Sequence, residues 1–348
     1  MAVVARRNHR LAIRFAAACL VCWAALNGYS GERDAFLDRA ENKGSLSLVF
    51  LGDIMLGRGV AYSRMERGIQ DAWAGVFDSI QPELSDADLV LGNLEAPLVA
   101  GKCMSSHDEK SGTGPYLLYA PVEAVRALTM AGIDILTLAN NHIMDCGEQG
   151  LMETRGALQA AGFRMAGPDL APLELYVKGW RITILAANTL EDGFSVQALE
   201  KSIQKAQKNK ALVVVSLHWG SEYQSGPNRM QEEIAKRLAR AGADILWGHH
   251  PHALQRIECL DGADGEARTL AMYSLGNAIF DQHTPPFVNR SAAVTIAIKP
   301  QGEISVVVLP FVIDPRLGVV RPAEMAVAKR VREWLRTPIS CNQMLLGR

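Results

Sequence analysis

Leu46-Ser47-Leu48-Val49-Phe50-Leu51-Gly52-Asp53-Ile54-Met55-Leu56-Gly57-Arg58 is an apolar run that ends on a glycine-flanked aspartate. Its first six residues, Ser47 apart, are apolar without helical spacing, which reads as a β-strand buried on both faces. A strand of that kind needs covering layers, and the chain supplies them. Further buried strands are read at Leu89–Leu91, Ile133–Leu138, Ile182–Ala186, Leu212–Leu217 and Ile245–Trp247. Helices fill the gaps. Pro121–Ala131 opens on a proline and stops at Gly132, Gly147–Ala161 stops at Gly162, and Asn228–Ala241 stops at Gly242, the punctuation expected of helix ends. From Ala253 the texture turns to sheet, with Ala253–Glu258, Thr269–Ser274, Ala292–Ile298 and Ile304–Leu309 and no long helix between them; Pro322–Leu335 makes a last helix. Ser105–Pro115 is a surface loop. The pattern is one α/β domain over residues 45–315, helices packed outside mixed sheets, followed by a C-terminal helix and tail over 316–348.

Composition sets the outer bounds. The chain has 348 residues, 49% of them hydrophobic and 21% charged, which excludes disorder, collagen and coiled coil. Lys+Arg of 36 against Asp+Glu of 37 gives a net charge of −1, so no positive field points to nucleic acid. Lys201, Lys205, Lys208 and Lys210 form the one basic run and read as the solvated face of a helix. Residues 1–30 are set apart. Arg6, Arg7, Arg10 and Arg14 precede the apolar stretch Phe15–Leu26, too short for the ~20 residues of a spanning helix, and Gly28 and Ser30 offer a cleavage point. A signal peptide is expected, with an uncleaved anchor as the alternative. Cleavage removes four arginines and no acids, leaving −5. Of the six cysteines, Cys103, Cys146, Cys259 and Cys341 remain, with three possible pairings and no C-x-x-C spacing. Export allows one or two disulfides, with Cys103–Cys146 preferred; buried free thiols are the alternative.

Five segments put polar, metal-capable side chains at the carboxyl ends of these strands, where α/β sheets build their sites. They are Gly52-Asp53, Gly92-Asn93-Leu94-Glu95, Asn140-Asn141-His142 with Asp145, His218-Trp219-Gly220 with Glu222 just beyond, and Gly248-His249-His250-Pro251-His252. Singly, each has an ordinary explanation. An aspartate after a strand is most often a turn former or helix cap, Asn140-Asn141 is a turn signal, and His218 can be a satisfied core histidine. Together they concentrate five of the eight histidines at three strand ends beside Asp53, Glu95 and Asn141. A mixed imidazole, carboxylate and amide set suits one or two divalent ions of the Mn, Zn or Fe type, and the lack of nearby cysteine disfavours a thiolate zinc site.

These segments, with Met55-Leu56-Gly57-Arg58, Ser274-Leu275-Gly276-Asn277 and Phe280-Asp281, resemble in order the CapA/PgsA family of bacterial capsule and poly-γ-glutamate synthesis proteins. That family is a branch of the calcineurin-like metallophosphatase superfamily, and the resemblance runs from about Leu46 to Asp281. It implies a metallophosphatase-like two-sheet β-sandwich core flanked by helices. It also implies Asp53 as a metal-ligand aspartate, Asn141 as the amide ligand, and His218, His250 and His252 as imidazole ligands. His142 would be the acid that protonates a leaving oxygen, Asp145 its orienting partner, and Arg58 a holder of an anionic substrate group. The pattern departs at Met55, which stands where a second-ligand histidine is usual, and at Asn93, which stands where a bridging aspartate is usual; Glu95 is the nearest carboxylate able to replace it.

The implied function is an exported, metal-dependent protein of capsule or poly-γ-glutamate production that hydrolyses a phosphoester or a polymer bond. Its partners would be an anionic extracellular polymer or its precursor and membrane-associated synthase subunits, in the periplasm or at the cell surface. ATP-driven ligation is disfavoured, because no G-x-x-x-x-G-K-[ST] loop occurs. Two alternatives stand beside it: a non-enzymatic assembly component that keeps the metal site, and a general periplasmic phosphodiesterase.

Overall fold

The computed structural model describes residues 43–66, 71–101, 103, 117–169 and 171–336. Within them the chain runs β1 (Leu46–Ile54), α1 (Arg58–Met65), α2 (Gln81–Ser85), β2 (Leu89–Leu94), β3 (Leu98–Val99), β4 (Ala120–Pro121), α3 (Val125–Ala131), β5 (Ile135–Thr137), α4 (Gly147–Ala160), β6 (Arg164–Ala166), β7 (Leu173–Val177) and β8 (Trp180–Asn188). It continues with α5 (Val196–Lys208), β9 (Leu212–His218), α6 (Arg229–Ala241), β10 (Ile245–His249), β11 (Leu254–Asp261), β12 (Ala267–Leu275), β13 (Asn277–Ile279), β14 (Arg290–Ile298), β15 (Ile304–Asp314), β16 (Val319–Pro322) and α7 (Met325–Trp334). One large sheet has the order β16-β15-β14-β1-β2-β5-β6, with β13 also on β1; the other large sheet has the order β11-β12-β10-β9-β8-β7, and β3 and β4 form a separate two-stranded pair. The β1-β2-β5-β6 and β8-β9-β10-β12 stretches are parallel, with antiparallel strands at the flanks.

Strand alternation explains the layers. Leu46, Leu48 and Phe50 of β1 join Leu89, Leu91 and Ile135 against Leu212, Val214, Ile245 and Trp247 of the second sheet. Their neighbours Val49 and Leu51 face the other way, onto residues of α1 to α4. Likewise Val213, Val215 and Leu217 meet α5 and α6. Both faces of each central strand are therefore covered, which is why these strands are nearly continuous apolar runs. The expected two-sheet core flanked by helices is the observed architecture, and Val331 and Leu335 at the α7 end pack into the layer between the sheets.

Element by element the agreement is close. The basic run lies on α5, with Lys201, Lys205 and Lys208 exposed. Asn228 caps α6 through a reciprocal pair with Gln231, and Gly242 ends it at φ 104°. The strand expected over Ile133–Leu138 shrinks to Ile135–Thr137, the helix expected over Pro121–Ala131 is α-helical only from Val125 with Pro121 drawn into β4, and β3, β4, β6, β7, β13 and β16 lie outside the sequence expectation. Those six are short or half-exposed; in β7 Glu174 and Tyr176 face solvent, which breaks the apolar signal. Cys103 and Cys146 are joined in a disulfide, the preferred pair, and Cys259 is disulfide-bonded as well. Residues 1–30 and the 105–115 loop lie outside the described residues.

Candidate metal centre

At one end of the layer between the sheets, apolar side chains give way to polar ones along the same strand faces. Leu89 and Leu91 are followed by Asn93, Ile135 by Thr137, Leu212 and Val214 by Ser216 and His218, and Ile245 and Trp247 by His249. Residues two apart on a strand share a face, so simple alternation delivers all five polar groups to one place. Register aligns them: Asp53 pairs with Asn93 and Asn93 with Thr137 in one sheet, and Asn188 with His218 and His218 with His249 in the other. Ser216 Oγ donates to Thr137 Oγ1 across 3.2 Å and ties the sheets together.

Asp53 reaches this end only because β1 breaks its alternation. Between Phe50 and Asp53 the pairing with β2 shifts by one residue, a β-bulge, which turns Asp53 from the helix-covered side to the inner one. Gly52 permits it. A Cβ there would sit 1.9 Å from the Gly276 carbonyl oxygen, which instead accepts the Asp53 amide at 3.0 Å. The Leu51 carbonyl accepts from Trp247 Nε1 of the other sheet at 2.9 Å. Gly248 answers the same need in β10, where a Cβ would lie 2.0 Å from Tyr273 O.

The donors then converge. Asp53, Glu95, His218 and His252 are buried to 2% exposure or less. Asp53 Oδ1 accepts from Asn93 Nδ2 at 2.8 Å and Oδ2 from the His250 amide at 3.1 Å. His252 Nδ1 stands 3.4 Å from Asp53 Oδ2, and its Nε2 is 3.7 Å from Glu95 Oε1. His218 Nε2 lies 2.7 Å from Asn141 Oδ1 and 3.5 Å from Glu95 Oε1. The rings of His218 and His250 are 4.9 Å apart. Neighbouring donors around a cation with ~2.1 Å bonds sit about 3 to 3.5 Å apart, so these spacings are of coordination-shell size. Glu95, His218 and His250 form one such triad, and Asp53, Glu95 and His252 another.

Partners settle the ring chemistry. Asn277 Nδ2 donates to the Val288 carbonyl at 3.3 Å, which turns its oxygen to His252 Nδ1 at 2.8 Å. His252 therefore carries its proton on Nδ1 and offers a lone pair from Nε2. Among the described residues, both Glu95 oxygens, His218 Nδ1 and His250 Nδ1 are buried without a hydrogen-bond partner. Burial, reinforced by the field of Asp53, pushes the Glu95 carboxyl well above its ordinary range. Burial also acts to raise Asp53, but the close approach of His249 and His252 outweighs it and holds Asp53 well below the carboxylate range. His218 is driven well down by burial and the His250 field, and His250 falls to about 4 through burial and the His252 field. Neutral imidazoles beside an ionised Asp53 are the forms that ligate cations.

Asn93 is placed beside Asp53, and its oxygen accepts from Thr137 Oγ1 at 3.2 Å and Asn140 Nδ2 at 3.3 Å. Met55 turns away into a small cluster with Ala96, Leu118 and Phe280. His142 Nδ1 meets Asp145 Oδ2 at 2.8 Å, and that oxygen also accepts the Leu118 amide at 2.7 Å. Arg58 is held at the rim by Asp281, its Nε 3.0 Å from Oδ2. Three further participants stand in the sequence segments quoted above without a role assigned to them there. His249 Nδ1 touches Asp53 Oδ1 at 3.0 Å, off the hydrogen-bonding direction. Asn277 orients His252, and Glu222 groups with His250 and His252. Strand alternation flags His249, and an acid two residues past Gly220 flags Glu222.

Fold and site together define a two-sheet α/β protein with a buried histidine–carboxylate cluster where its parallel strands end. The chain belongs to the bacterial capsule synthesis protein PGA_cap family, whose model matches residues 47–282. It is 32% identical over 257 residues to the PGA biosynthesis protein CapA of Bacillus subtilis (strain 168), covering 68% of this chain and 64% of that one, just under two thirds of the relative's length. To the capsule biosynthesis protein CapA of Bacillus anthracis it is 33% identical over 307 residues, covering 82% of this chain and 71% of that one. Among solved structures, a phosphatase from Mycoplasma pneumoniae aligns over 82% of this chain and 97% of its own, with 12% identity and a TM-score of 0.48.

Proposed function

We propose that this chain is an exported, divalent-cation-dependent protein of capsule or poly-γ-glutamate-type polymer production that hydrolyses a phosphoester or a bond of the polymer. One observation carries the reading: carboxylate and imidazole atoms of Glu95, His218 and His250 are buried around Asp53 and His252 without hydrogen-bond partners. Buried polar atoms are otherwise almost always paired, and this donor set, with no thiolate in it, fits Mn, Zn or Fe. Asp53, Glu95, Asn141, His218, His250 and His252 would hold one or two such ions. A bound cation supplies Lewis-acid polarisation of a phosphoryl or carbonyl oxygen and a lowered pKa for water.

The chain's own residues do the rest. Asp145, fixed by the Leu118 amide, holds the His142 proton on Nδ1 and aims Nε2 outward, so that a protonated His142 donates to the leaving oxygen. Asn93, spanning Asp53, Thr137 and Asn140, keeps the Asp53 carboxylate in place. Arg58, steadied by Asp281, offers positive charge to an anionic polymer or its precursor. Export is supported by the basic-then-apolar start and by disulfide-bonded Cys103, Cys146 and Cys259, since such bonds persist in oxidising compartments. No helix among the described residues is long and apolar enough to cross a membrane. The relatives named for capsule and PGA biosynthesis support a place in polymer production, in which an anionic polymer or its precursor would be the substrate and membrane-associated synthase subunits the partners.

The test is metal analysis of purified protein together with assays on poly-γ-glutamate and a model phosphodiester. One or two divalent ions per chain and cation-dependent cleavage are expected; a metal-free protein inert on both substrates overturns the reading. Cleavage of the simple diester alone would identify a general phosphodiesterase. A second reading, a non-enzymatic assembly component, is favoured by Asn93, whose oxygen is taken up by Thr137 and Asn140. It wins if cells carrying His142→Ala make capsule normally while His250→Ala cells do not.

A further inference from the structure

We propose that Glu222 is a cation ligand, forming with His250 and His252 an outer, solvent-facing subsite beside the buried cage of Asp53, Glu95 and His218, at whose edge the exposed Asn141 sits; the proposal rests on the divalent-cation reading above. The ligand-type atoms of Glu222, His250 and His252 all lie within 4.8 Å of one another. Glu222 sets this triad apart from the inner cage, for Asp53, Glu95, His218 and the shared His250 and His252 are buried while Glu222 faces solvent. His250 supplies the independent observation. It is 8% exposed, and its Nδ1 has no hydrogen-bond partner.

Backbone bonds place Glu222 rather than leaving it on a loose surface turn. Trp219 N donates to His249 O at 3.2 Å and Tyr223 N to Pro251 O at 2.8 Å, so the loop after β9 is laced residue by residue to the histidine loop after β10. Gln282 Nε2 donates to Tyr223 Oη at 3.1 Å, and Gln255 Nε2 donates to the Gln224 and Gly226 carbonyls at 3.0 Å each. Glu222 lies between these fastenings. On the facing loop His250 and His252 both adopt left-handed backbone, at φ 90° and 51°. That conformation is costly for histidine, and it sets both rings on either side of Pro251, the residue Tyr223 grips.

The chemistry divides the donors naturally. The inner cage has two carboxylates, an amide and His218, enough for one ion. Glu222 adds a single carboxylate to the two shared imidazoles, too few to complete a coordination shell. The outer ion would therefore bind more weakly, exchange with solvent, and keep positions open for an anionic oxygen of the substrate.

The experiment is a Mn²⁺ titration of chelator-stripped full-length protein by calorimetry, comparing wild type with Glu222→Gln and Glu95→Gln. Glu222 is exposed, and equal thermal midpoints in chelator will show that Glu222→Gln folds. Two binding classes are expected in the wild type. Glu222→Gln should weaken the lower-affinity class at least tenfold and leave the tight class unchanged, whereas Glu95→Gln should weaken the tight class. Two classes unaltered by Glu222→Gln, or one class that it does not touch, overturn the subsite and leave the metal centre standing. A wild type that binds no Mn²⁺, Zn²⁺ or Fe²⁺ overturns both.

Discussion

His142 and His250 act on each other's charge at one site, yet they should fail differently when truncated. His142 is bonded to Asp145 and half-buried at the mouth of the pocket, whereas His250 is buried with an unpartnered ring nitrogen. His142→Ala should leave metal content and thermal midpoint unchanged while turnover falls by on the order of 10² or more, the usual worth of a placed general acid. His250→Ala should lose metal instead. Equal metal loss in both variants would make His142 a ligand. Asn277 gives a finer case, because it acts through His252. Removing its oxygen frees the ring to take the wrong tautomer, so Asn277→Ala should keep metal stoichiometry but weaken affinity by about 10- to 100-fold. Unchanged affinity would mean that His252 needs no such orientation.

At the scale of single strands, the site depends on one irregularity. Without the bulge at Gly52, Asp53 would face α1 to α4, and the pocket would hold Glu95 as its only inner carboxylate. Gly52→Ala drives a Cβ to 1.9 Å from the Gly276 carbonyl, a backbone clash that no side-chain movement relieves. It should destabilise the protein by ~3 kcal/mol, at the upper end of overpacking costs, and any folded fraction should be depleted of metal. Chemical denaturation with metal analysis of the soluble fraction checks both; a wild-type midpoint would remove the bulge from the argument. The same strand shows what a sequence discloses. Alternation carries Asn93, Thr137, Ser216, His218 and His249 to one face, and a reader counting by twos can place all five. The bulge is invisible to that counting, because it depends on Gly276 approaching from the link between β12 and β13, over two hundred residues away. Glu222 is visible as an acid just past Gly220, but its placement is not, because its loop is positioned by Pro251 and Gln255, partners that no local pattern names. The edge strands β6 and β7 carry no clear apolar signal, because Arg164, Glu174 and Tyr176 face water.

For the molecule as a whole, the two sheets meet through an apolar layer that ends in charge, and the cation reading has a consequence for global stability. Two carboxylates, Asp53 and Glu95, share one buried pocket, and the first raises the second by its field. A cation neutralises that repulsion in the folded state, whereas the unfolded chain scatters its ligands from Asp53 to His252 and cannot assemble them. Binding to the native state alone stabilises it by RT ln(1 + [L]/Kd), about 2.7 kcal/mol at a hundredfold excess over Kd. With about 2 cal/mol/K of unfolding entropy per residue, a domain running from Leu46 to Leu335 gains about 4 to 5 °C in Tm. Stripping the protein with chelator should therefore lower Tm by that amount, restoration should follow Mn²⁺ or Zn²⁺ but not Na⁺, and His250→Ala should show little of either change. The disulfides provide the control, since Cys103–Cys146 is untouched by chelation and reductant should act additively with it. If stripped and loaded wild type melt at the same temperature while calorimetry finds no bound ion, the buried carboxylates and imidazoles must be satisfied by one another and by water, and the pocket is a polar seam between two sheets.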